Sequence, residues 1–163
     1  MVSCRLLAPE DREAALHVIN LAAQWYREFL PPGEYHSPEM TPVQWDAEAV
    51  RMAWYGAFAD ARLVAVMGLE RKHDAALIRH GYVLPEWQRR GAGSALLAHL
   101  EQQAGPVRII IGTYAGNYRA RALLEKSGYV RSPDSEALLR RYYAIPEERL
   151  RTSVTYEKLN ARS

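Results

Sequence analysis

Hydrophobic positions in this chain follow two different spacings, and the change between them separates predicted helices from predicted strands. In residues 14–25 the apolar side chains recur at intervals of three and four, which is the spacing of one buried helix face. In residues 153–159 they alternate, as in a strand with one buried face. On this basis the sequence predicts helices at 9–28, 42–52, 91–104, 117–126 and 135–143. It predicts strands at 3–8, 54–59, 62–70, 75–84, 107–113 and 153–159.

The order of these elements predicts an α/β protein. Two strands flank the short turn Asp60–Ala61, and a third follows closely, which indicates antiparallel pairing in this part of the chain. The second half alternates strand and helix. Its strand 107–113 is apolar on both faces, as expected inside a sheet that is covered on both sides. We therefore predict one domain over residues 1–163, with helices on both faces of a central sheet.

Charge and cysteine content exclude several function classes. The 163 residues carry a formal net charge of +2, and the basic residues are scattered rather than gathered in the stripe typical of nucleic-acid binding. No apolar run approaches the roughly 20 residues of a membrane span. Cys4 is the single cysteine, so no internal disulfide is possible, which fits a reducing compartment. We expect a cytoplasmic protein that binds neither nucleic acid nor a membrane.

The segment 75–93 combines a strand, a turn and a helix start in the arrangement of an anion site. A proline ends the strand, and Gly91 and Gly93 open the next helix. The first four N–H groups of a helix have no partner within it, and the helix dipole favours an anion there. Glycines let the anion approach and permit the positive φ angles at which N–H groups converge. The turn therefore predicts a cradle for a phosphate or pyrophosphate, with Arg89 and Arg90 adding charge.

Residues 83–93 read VLPEWQRRGAG, which lacks both the dinucleotide fingerprint and the P-loop motif. The stretch resembles the acyl-CoA loop of the GNAT N-acetyltransferases, V-x-P-x-x-[QR]-x-x-G-x-[GA]. Gly68, Asn117 and the pair Gly128-Tyr129 also match the layout of that family, as does the order of elements, so the resemblance covers nearly the whole chain. It implies the acyl-CoA N-acyltransferase fold, a mixed sheet of six to seven strands flanked by helices on both faces, and acetyl-CoA (CoA) as cofactor.

The resemblance also implies how acetyl-CoA binds. In this fold the fourth and fifth strands splay apart, and the slot between 82–84 and 112–114 would take the pantetheine arm. A strand N–H near Tyr82 or Val83 would face the thioester oxygen. Asn117 resembles the family residue that contacts the arm, and a plain helix cap explains it equally well. The residues expected to bind the cofactor are Tyr82, Val83, Leu84, Gln88, Arg89, Arg90, Gly91, Ala92, Gly93, Ser94 and Asn117.

Two proton transfers need catalytic groups. The acceptor amine must lose a proton, and Glu70 at the end of the third strand is the first candidate for the general base, with a solvated carboxylate as the plainer interpretation. Family members often protonate the leaving thiolate with a Tyr in the helix after the fifth strand, but this chain has Leu124 there. We predict Tyr118 as the replacement, with Tyr114 or water as alternatives.

Candidate residues for acceptor binding lie in the first long loop and on the fourth strand. Glu34 and Glu39 are alternatives to Glu70 as the base, and they suit binding of a cationic amine better. Tyr35 would add an aromatic wall for that amine or pack over the sheet edge. Strict alternation places Arg79 on the same strand face as Val83, where it would bind a carboxylate. It turns His80 toward the helices, where His80 is a core residue unless the strand has a bulge. No metal site is predicted.

The resemblance implies an enzyme that moves an acetyl group from acetyl-CoA to a primary amine by direct attack, through a tetrahedral intermediate. The acceptor would be a small molecule or a peptide. The missing Tyr at Leu124 favours an alternative, a non-catalytic acyl-CoA binding or sensing module. A nucleotide-binding domain is a third interpretation, against which the lack of a P-loop lysine counts. Many relatives pair, so the resemblance also allows a homodimer.

Overall fold

The computed structural model describes residues 1–161 and contains a seven-stranded mixed sheet with the strand order β1-β2-β3-β4-β5-β7-β6. The strands are β1 (Ser3–Leu6), β2 (Ala53–Ala59), β3 (Arg62–Arg71), β4 (Ala76–Val83), β5 (Arg108–Tyr114), β6 (Val130–Arg131) and β7 (Ser153–Leu159). The helices are α1 (Arg12–Ala22), α2 (Pro42–Ala49), α3 (Ala92–Ala104), α4 (Tyr118–Lys126), α5 (Ser135–Tyr142) and α6 (Glu147–Leu150).

The sheet has the predicted mixed character. Strands β1 to β4 are antiparallel neighbours, β4 and β5 run parallel, and β7 pairs antiparallel with both β5 and β6. The α/β class and the acyltransferase-like strand order are therefore confirmed. Strand β6 did not appear in the sequence pattern because two residues are too few to establish alternation.

The first predicted helix is shorter than expected. It is α-helical to Ala22 and then winds into a 3-10 helix over Ala23–Glu28. This tighter turn brings aromatic side chains together, with ring centroids 4.8 Å apart for Trp25 and Phe29 and 5.4 Å apart for Tyr26 and Phe29. The segment therefore presents an aromatic cluster to the sheet.

Alternation along β4 and β5 divides the core between two faces. Ile78 and Ile111 belong to the main core, which also contains the apolar side of α3. Leu77 and Ile110 point to the other face and form a separate cluster with α5, including Leu139. Both faces of the sheet centre are thus buried, which positions the end of β4 between two layers of helices.

Candidate active site

The turn before α3 leaves an uncapped helix N-terminus. Gly91 is the N-cap residue with φ of +85°, in the left-handed region, and no side chain caps the helix. Because the first N–H groups of a helix have no internal partner, the amides from Ala92 onward are free to bind an anion. Arg89 is also left-handed, with φ of +64°, and Arg90 lies over the Trp87 ring at 5.2 Å. The backbone geometry is that of an anion site.

Gln88 connects this turn to the end of β4. Its Nε2 donates to the carbonyl of Val83 at 3.1 Å, and Arg119 of α4 reaches its Oε1 at 3.5 Å. The side chain of Gln88 therefore fixes the position of the turn relative to the strand, and this contact explains why a glutamine stands three residues before Gly91.

Strands β4 and β5 part after three paired positions. Ile78 and Ile111 form the last pair, although β4 runs on to Val83 and β5 to Tyr114. A cavity of about 510 Å³ lies where they separate and extends to the start of α3. The predicted site residues that line it are Arg79, Tyr82, Val83, Gln88, Arg89, Gly91, Gly93, Ser94, Asn117 and Tyr118. Leu84 and Ala92 are each only 1% exposed and pack in the core beside it.

The fourth strand contains a bulge that the sequence pattern did not reveal. Tyr82 pairs with Val66 and Arg79 with Gly68, so these pairs are three residues apart on β4 and two apart on β3. At the bulge His80 takes a φ of +55°. Arg79 therefore shares a face with Tyr82, and the face that strict alternation predicted for Arg79 is wrong.

Arg79 is held in ion pairs on that face. Its guanidinium donates to Oε1 of Glu70 at 2.9 Å and lies 3.9 Å from Oε1 of Glu48, and the side chain is 11% exposed. Its Cζ lies 5.1 Å from the centre of the Tyr143 ring. Arg79 lines the cavity, but two carboxylates already match its charge. Recognition of a substrate carboxylate by Arg79 stays a prediction.

Glu70 differs most from what the sequence led us to expect. Its side chain is 5% exposed and forms ion pairs with Arg79 at 2.9 Å and Lys72 at 3.0 Å. Burial acts to raise the pKa of Glu70, but the two cations outweigh it and hold that pKa below its ordinary value. Among the described residues 1–161, Glu70 is not one that lines the cavity. The geometry favours a role in the ion network, and catalysis by Glu70 stays an untested prediction.

A carboxylate from the first long loop enters the cavity on the α1 side. Oε2 of Glu39 accepts a hydrogen bond from the Tyr82 hydroxyl at 2.7 Å, and both residues line the cavity. Burial raises the pKa of Tyr82, with the nearby Tyr26 and Glu39 adding to the effect, so its hydroxyl keeps its proton. In the described part of the chain, Glu34 and Tyr35 lie outside the cavity lining, and Oε1 of Glu34 is buried without a hydrogen-bond partner.

The start of α4 forms another wall. Oδ1 of Asn117 accepts from the N–H of Ala120 at 3.1 Å, so this oxygen caps the helix, and Nδ2 is the atom left for a cofactor. Tyr118 is 61% exposed and meets the Trp25 ring edge-on, with centroids 5.4 Å apart. Both residues line the cavity, so the structure places them where contact with an arm in the slot is possible.

Residues 1–161 contain neither a metal site nor a membrane-spanning helix. No group of three or more His, Cys, Asp or Glu side chains is arranged to hold a metal ion. None of the helices in this part of the chain is both long and apolar enough to cross a bilayer.

Comparison with known proteins places this geometry in a family. The model of the acetyltransferase (GNAT) family matches residues 19–129, well over half of the chain. The protein belongs to the GNAT acetyltransferase family. A search of the curated proteins gave no match.

Solved GNAT structures share the whole fold. The ribosomal-protein-S18-alanine N-acetyltransferase from Escherichia coli superposes with a TM-score of 0.71 at 19% identity, covering 100% of this chain and 96% of that one. The PaiA N-acetyltransferase from Thermoplasma acidophilum, solved in complex with coenzyme A, gives 0.71 at 17% identity and covers 98% and 99%. A probable acetyltransferase from Staphylococcus epidermidis gives 0.71 at 16% identity and covers 97% and 98%.

This GNAT chain departs from the family pattern at Leu124, which is 5% exposed and also lines the cavity. Sequence reasoning missed the lining residues that come from the long segment between β6 and β7, which are Leu139, Tyr143, Ile145 and Arg149. Arg149 lies 5.7 Å from the centre of the Tyr114 ring. The length of that segment was the available signal, but nothing in its sequence indicates that it folds back over the slot.

Sequence reasoning also missed Glu48 of α2, whose Oε1 lies 2.9 Å from Nε2 of His80. The expectation that His80 is a core residue is wrong, because β4 has a bulge there, and the side chain is 23% exposed and lines the cavity. To predict this pair from the sequence, one would have had to predict the bulge, which strict alternation of strand faces does not do.

Proposed function

We propose that this GNAT protein transfers an acetyl group from acetyl-CoA to the primary amine of a small molecule or a peptide. The amine attacks the thioester directly and passes through a tetrahedral intermediate. The observation that carries the proposal is the separation of β4 from β5, which opens a cavity leading to the uncapped start of α3. Residues 1–163 act as one domain in this proposal, because the sheet uses strands from both ends of the chain.

The residues present fit the cofactor. The backbone amides from Ala92 to Ser94 would bind the pyrophosphate, with Arg89 and Arg90 beside them. The slot between the parted strands would take the pantetheine arm, whose amides can pair with strand groups that have lost their neighbour.

The backbone at Val83 would supply a donor to the thioester oxygen. The N–H of Leu84 donates to the carbonyl of Val64 at 2.9 Å, which directs the backbone of Leu84 toward β3. Since alternate residues of a strand direct their N–H groups to opposite sides, the N–H of Val83 points to the slot. One such donor is typically worth about 3 kcal/mol when negative charge develops on the oxygen.

The acceptor amine would approach from the side of α1 and α2. There the cavity wall carries the Glu39 carboxylate beside the hydroxyl of Tyr82 and the ring of Tyr26. A carboxylate among aromatic rings suits an alkylammonium group. Because Cys4 is the single cysteine, we propose a reducing, cytoplasmic setting. We also propose a homodimer, on the family resemblance alone.

Binding and turnover test the proposal separately. Thermal unfolding is measured with acetyl-CoA, CoA and ATP, and thiol release is then followed across a panel of small amines and peptides. We expect stabilisation by acetyl-CoA and CoA and thiol release with at least one amine. Stabilisation by CoA without turnover on any amine would favour the acyl-CoA sensing module, whose supporting observation is the leucine at position 124. Stabilisation by ATP alone would contradict both.

A further inference from the structure

His80 lines the cavity at the bulge of β4 and is hydrogen-bonded to Glu48, which lies behind it, outside the described cavity lining. Nε2 of His80 lies 2.9 Å from Oε1 of Glu48, and the two side chains are 23% and 13% exposed. Neither residue belongs to the anion-binding turn. The pair is therefore partly shielded from solvent and yet adjoins the space where the proposed chemistry would occur.

The backbone at His80 is held in an unfavourable conformation. Its φ of +55° lies in the left-handed region, which residues other than Gly adopt uncommonly and at a cost, although His does so more often than most. The ring is packed 5.6 Å from the centre of Trp54. Because such a conformation persists only where the surroundings enforce it, and such residues cluster at functional sites, the bulge marks His80 as a candidate for function.

The carboxylate of Glu48 sets the tautomer of the ring. An ionised carboxylate only accepts hydrogen bonds, so Nε2 carries the hydrogen, and in the neutral ring Nδ1 is the proton acceptor. Burial acts to raise the pKa of Glu48, but the hydrogen bond and charge of His80, with Arg51 and Arg79 beside them, hold it at about 2. Glu48 therefore stays ionised at neutral pH and keeps the ring in this orientation.

The bulge lies at the closed end of the slot. Strands β4 and β5 separate immediately after Ile78, and His80 follows two residues later. The open end lies at Gly91, where the anion site begins. A carrier with its phosphates at the open end and its arm along the slot directs its acyl end toward the bulge.

We propose that His80 is the general base of the acetyl transfer and that Glu48 is its positioning residue. The inference rests on the proposed function. The ammonium form of the acceptor gives one proton to Nδ1 of His80, and the nitrogen lone pair then attacks the carbonyl carbon of the thioester. The C–N bond forms and the C–S bond breaks. The second proton of the nitrogen leaves with the thiolate as thiol, and His80 returns its proton to solvent.

The first test is His80→Asn, since Asn tolerates the left-handed region and keeps the backbone unstrained. We expect kcat to fall between about 10²- and 10⁴-fold, the usual contribution of a general base. The KM for acetyl-CoA and the melting temperature should stay near wild type. Asp60→Asn is the matched control, because Asp60 has the same φ of 55° in a remote hairpin. A His80→Asn enzyme that keeps more than about a third of wild-type kcat overturns the inference.

Chemical rescue separates proton transfer from structure. Gly also accepts the left-handed region, and His80→Gly leaves room for a free imidazole. We expect added imidazole to raise kcat of His80→Gly by about tenfold and to leave the wild type and Asp60→Asn unchanged. Failure of imidazole to raise it overturns the inference. If the wild type releases no thiol with any amine, the proposed function is wrong. If the wild type turns over but the His80 variants do not behave as expected, only the role of His80 is wrong.

Glu48→Gln tests the positioning role. We expect kcat to fall by about tenfold in the wild-type background and to change little in His80→Asn, since the effect of a positioning residue passes through the group it orients. Arg51→Ala removes a different partner of Glu48, whose guanidinium lies 2.7 Å from Oε2 of Glu48. This change should leave kcat within about threefold of the wild-type value. Equal losses from Glu48→Gln in both backgrounds would show that Glu48 acts on something other than His80.

Discussion

The two sides of the cavity differ in the chemical groups that form them, backbone groups on one side and charged side chains on the other. On the proposed cofactor side, backbone groups form the site: the uncapped start of α3 at Gly91 and the free edge of β4. On the proposed acceptor side, the lining residues Arg79 and His80 belong to a charged network that continues behind the cavity wall to Glu70 and Glu48. A backbone site depends on local chain geometry, whereas the network depends on contacts between distant segments. The cofactor side should therefore respond to changes in backbone geometry, and the acceptor side to the loss of a charge.

The largest expected effect is on stability, from Arg79→Ala. The change leaves Glu70, whose side chain is 5% exposed, without one of its two cations, and Glu48 without one of its partners. Removing one member of a buried ion pair typically costs 3–5 kcal/mol, so we expect about that loss in the free energy of unfolding, measured by urea titration.

Arg12→Ala is the matched control for Arg79→Ala. Arg12 and Asp46 form a pair with side chains 42% and 60% exposed, and loss of such a surface pair costs about 0–1 kcal/mol. Equal losses from the two variants would show that the acceptor-side network is solvated, and would remove the contrast between the two sides.

The next effect is on cofactor affinity, from Gly91→Val. A β-branched side chain at φ of +85° disturbs the turn and crowds the anion site. We expect the Kd for acetyl-CoA, measured by calorimetry, to rise about 100-fold, which corresponds to roughly 2.7 kcal/mol.

Gly105→Val is the control at the other end of the same helix. Gly105 has φ of +77°, and, as at Gly91, a Cβ there meets no atom within 4 Å. With ψ of −167°, Gly105 lies in a region that essentially only Gly adopts, so this variant should lose at least as much stability as Gly91→Val and keep its affinity for acetyl-CoA. A parallel loss of affinity in both variants would attribute the Gly91 effect to general destabilisation.

A smaller effect is expected from Tyr118→Phe. If Tyr118 protonates the leaving thiolate, loss of its hydroxyl should lower kcat by about tenfold without changing the KM for acetyl-CoA. Tyr114→Phe is the comparison, since burial raises the pKa of Tyr114 and its ring also lines the cavity. A kcat that falls only in Tyr114→Phe would assign the proton to Tyr114, and no change in either would assign it to water.

The last expected effect is on the acid limb of stability. The folded-state pKa of Glu48, at about 2, lies below its ordinary 4.5, so folding favours the ionised form. Its contribution is fully present above pH 4.5 and is lost as the pH falls toward 2. In Glu48→Gln, the free energy of unfolding should therefore fall less steeply as the pH is lowered over this range. Glu136→Gln, in a carboxylate 67% exposed, should leave the slope unchanged.

The sequence predicted the cofactor side well because each part of it depends on residue type at a fixed spacing. Proline ends β4, Gln88 connects strand and turn, and Gly91 permits the left-handed N-cap. The splay of β4 from β5, expected from the resemblance, is also present.

The acceptor side was less predictable for physical reasons. The bulge at His80 changes which face Arg79 occupies, and no local signal marks it. Glu70 looked like a free strand-end carboxylate, because its neutralisation by Arg79 depends on strand pairing. Arg149 belongs to a segment that lies more than 100 residues from the first loop in the sequence. Only the tertiary fold brings that segment to the cavity.

The parting of β4 and β5 interrupts the hydrogen-bond ladder in the middle of the sheet. Beyond Ile78 and Ile111 the two strands are no longer paired with each other, so backbone groups on their facing edges can bind another partner. An extended chain with amides of its own, laid between them, would complete the ladder much as an added strand does. Under the proposed function, the cofactor would complete the sheet when it binds and would leave the two strand edges open again when it departs.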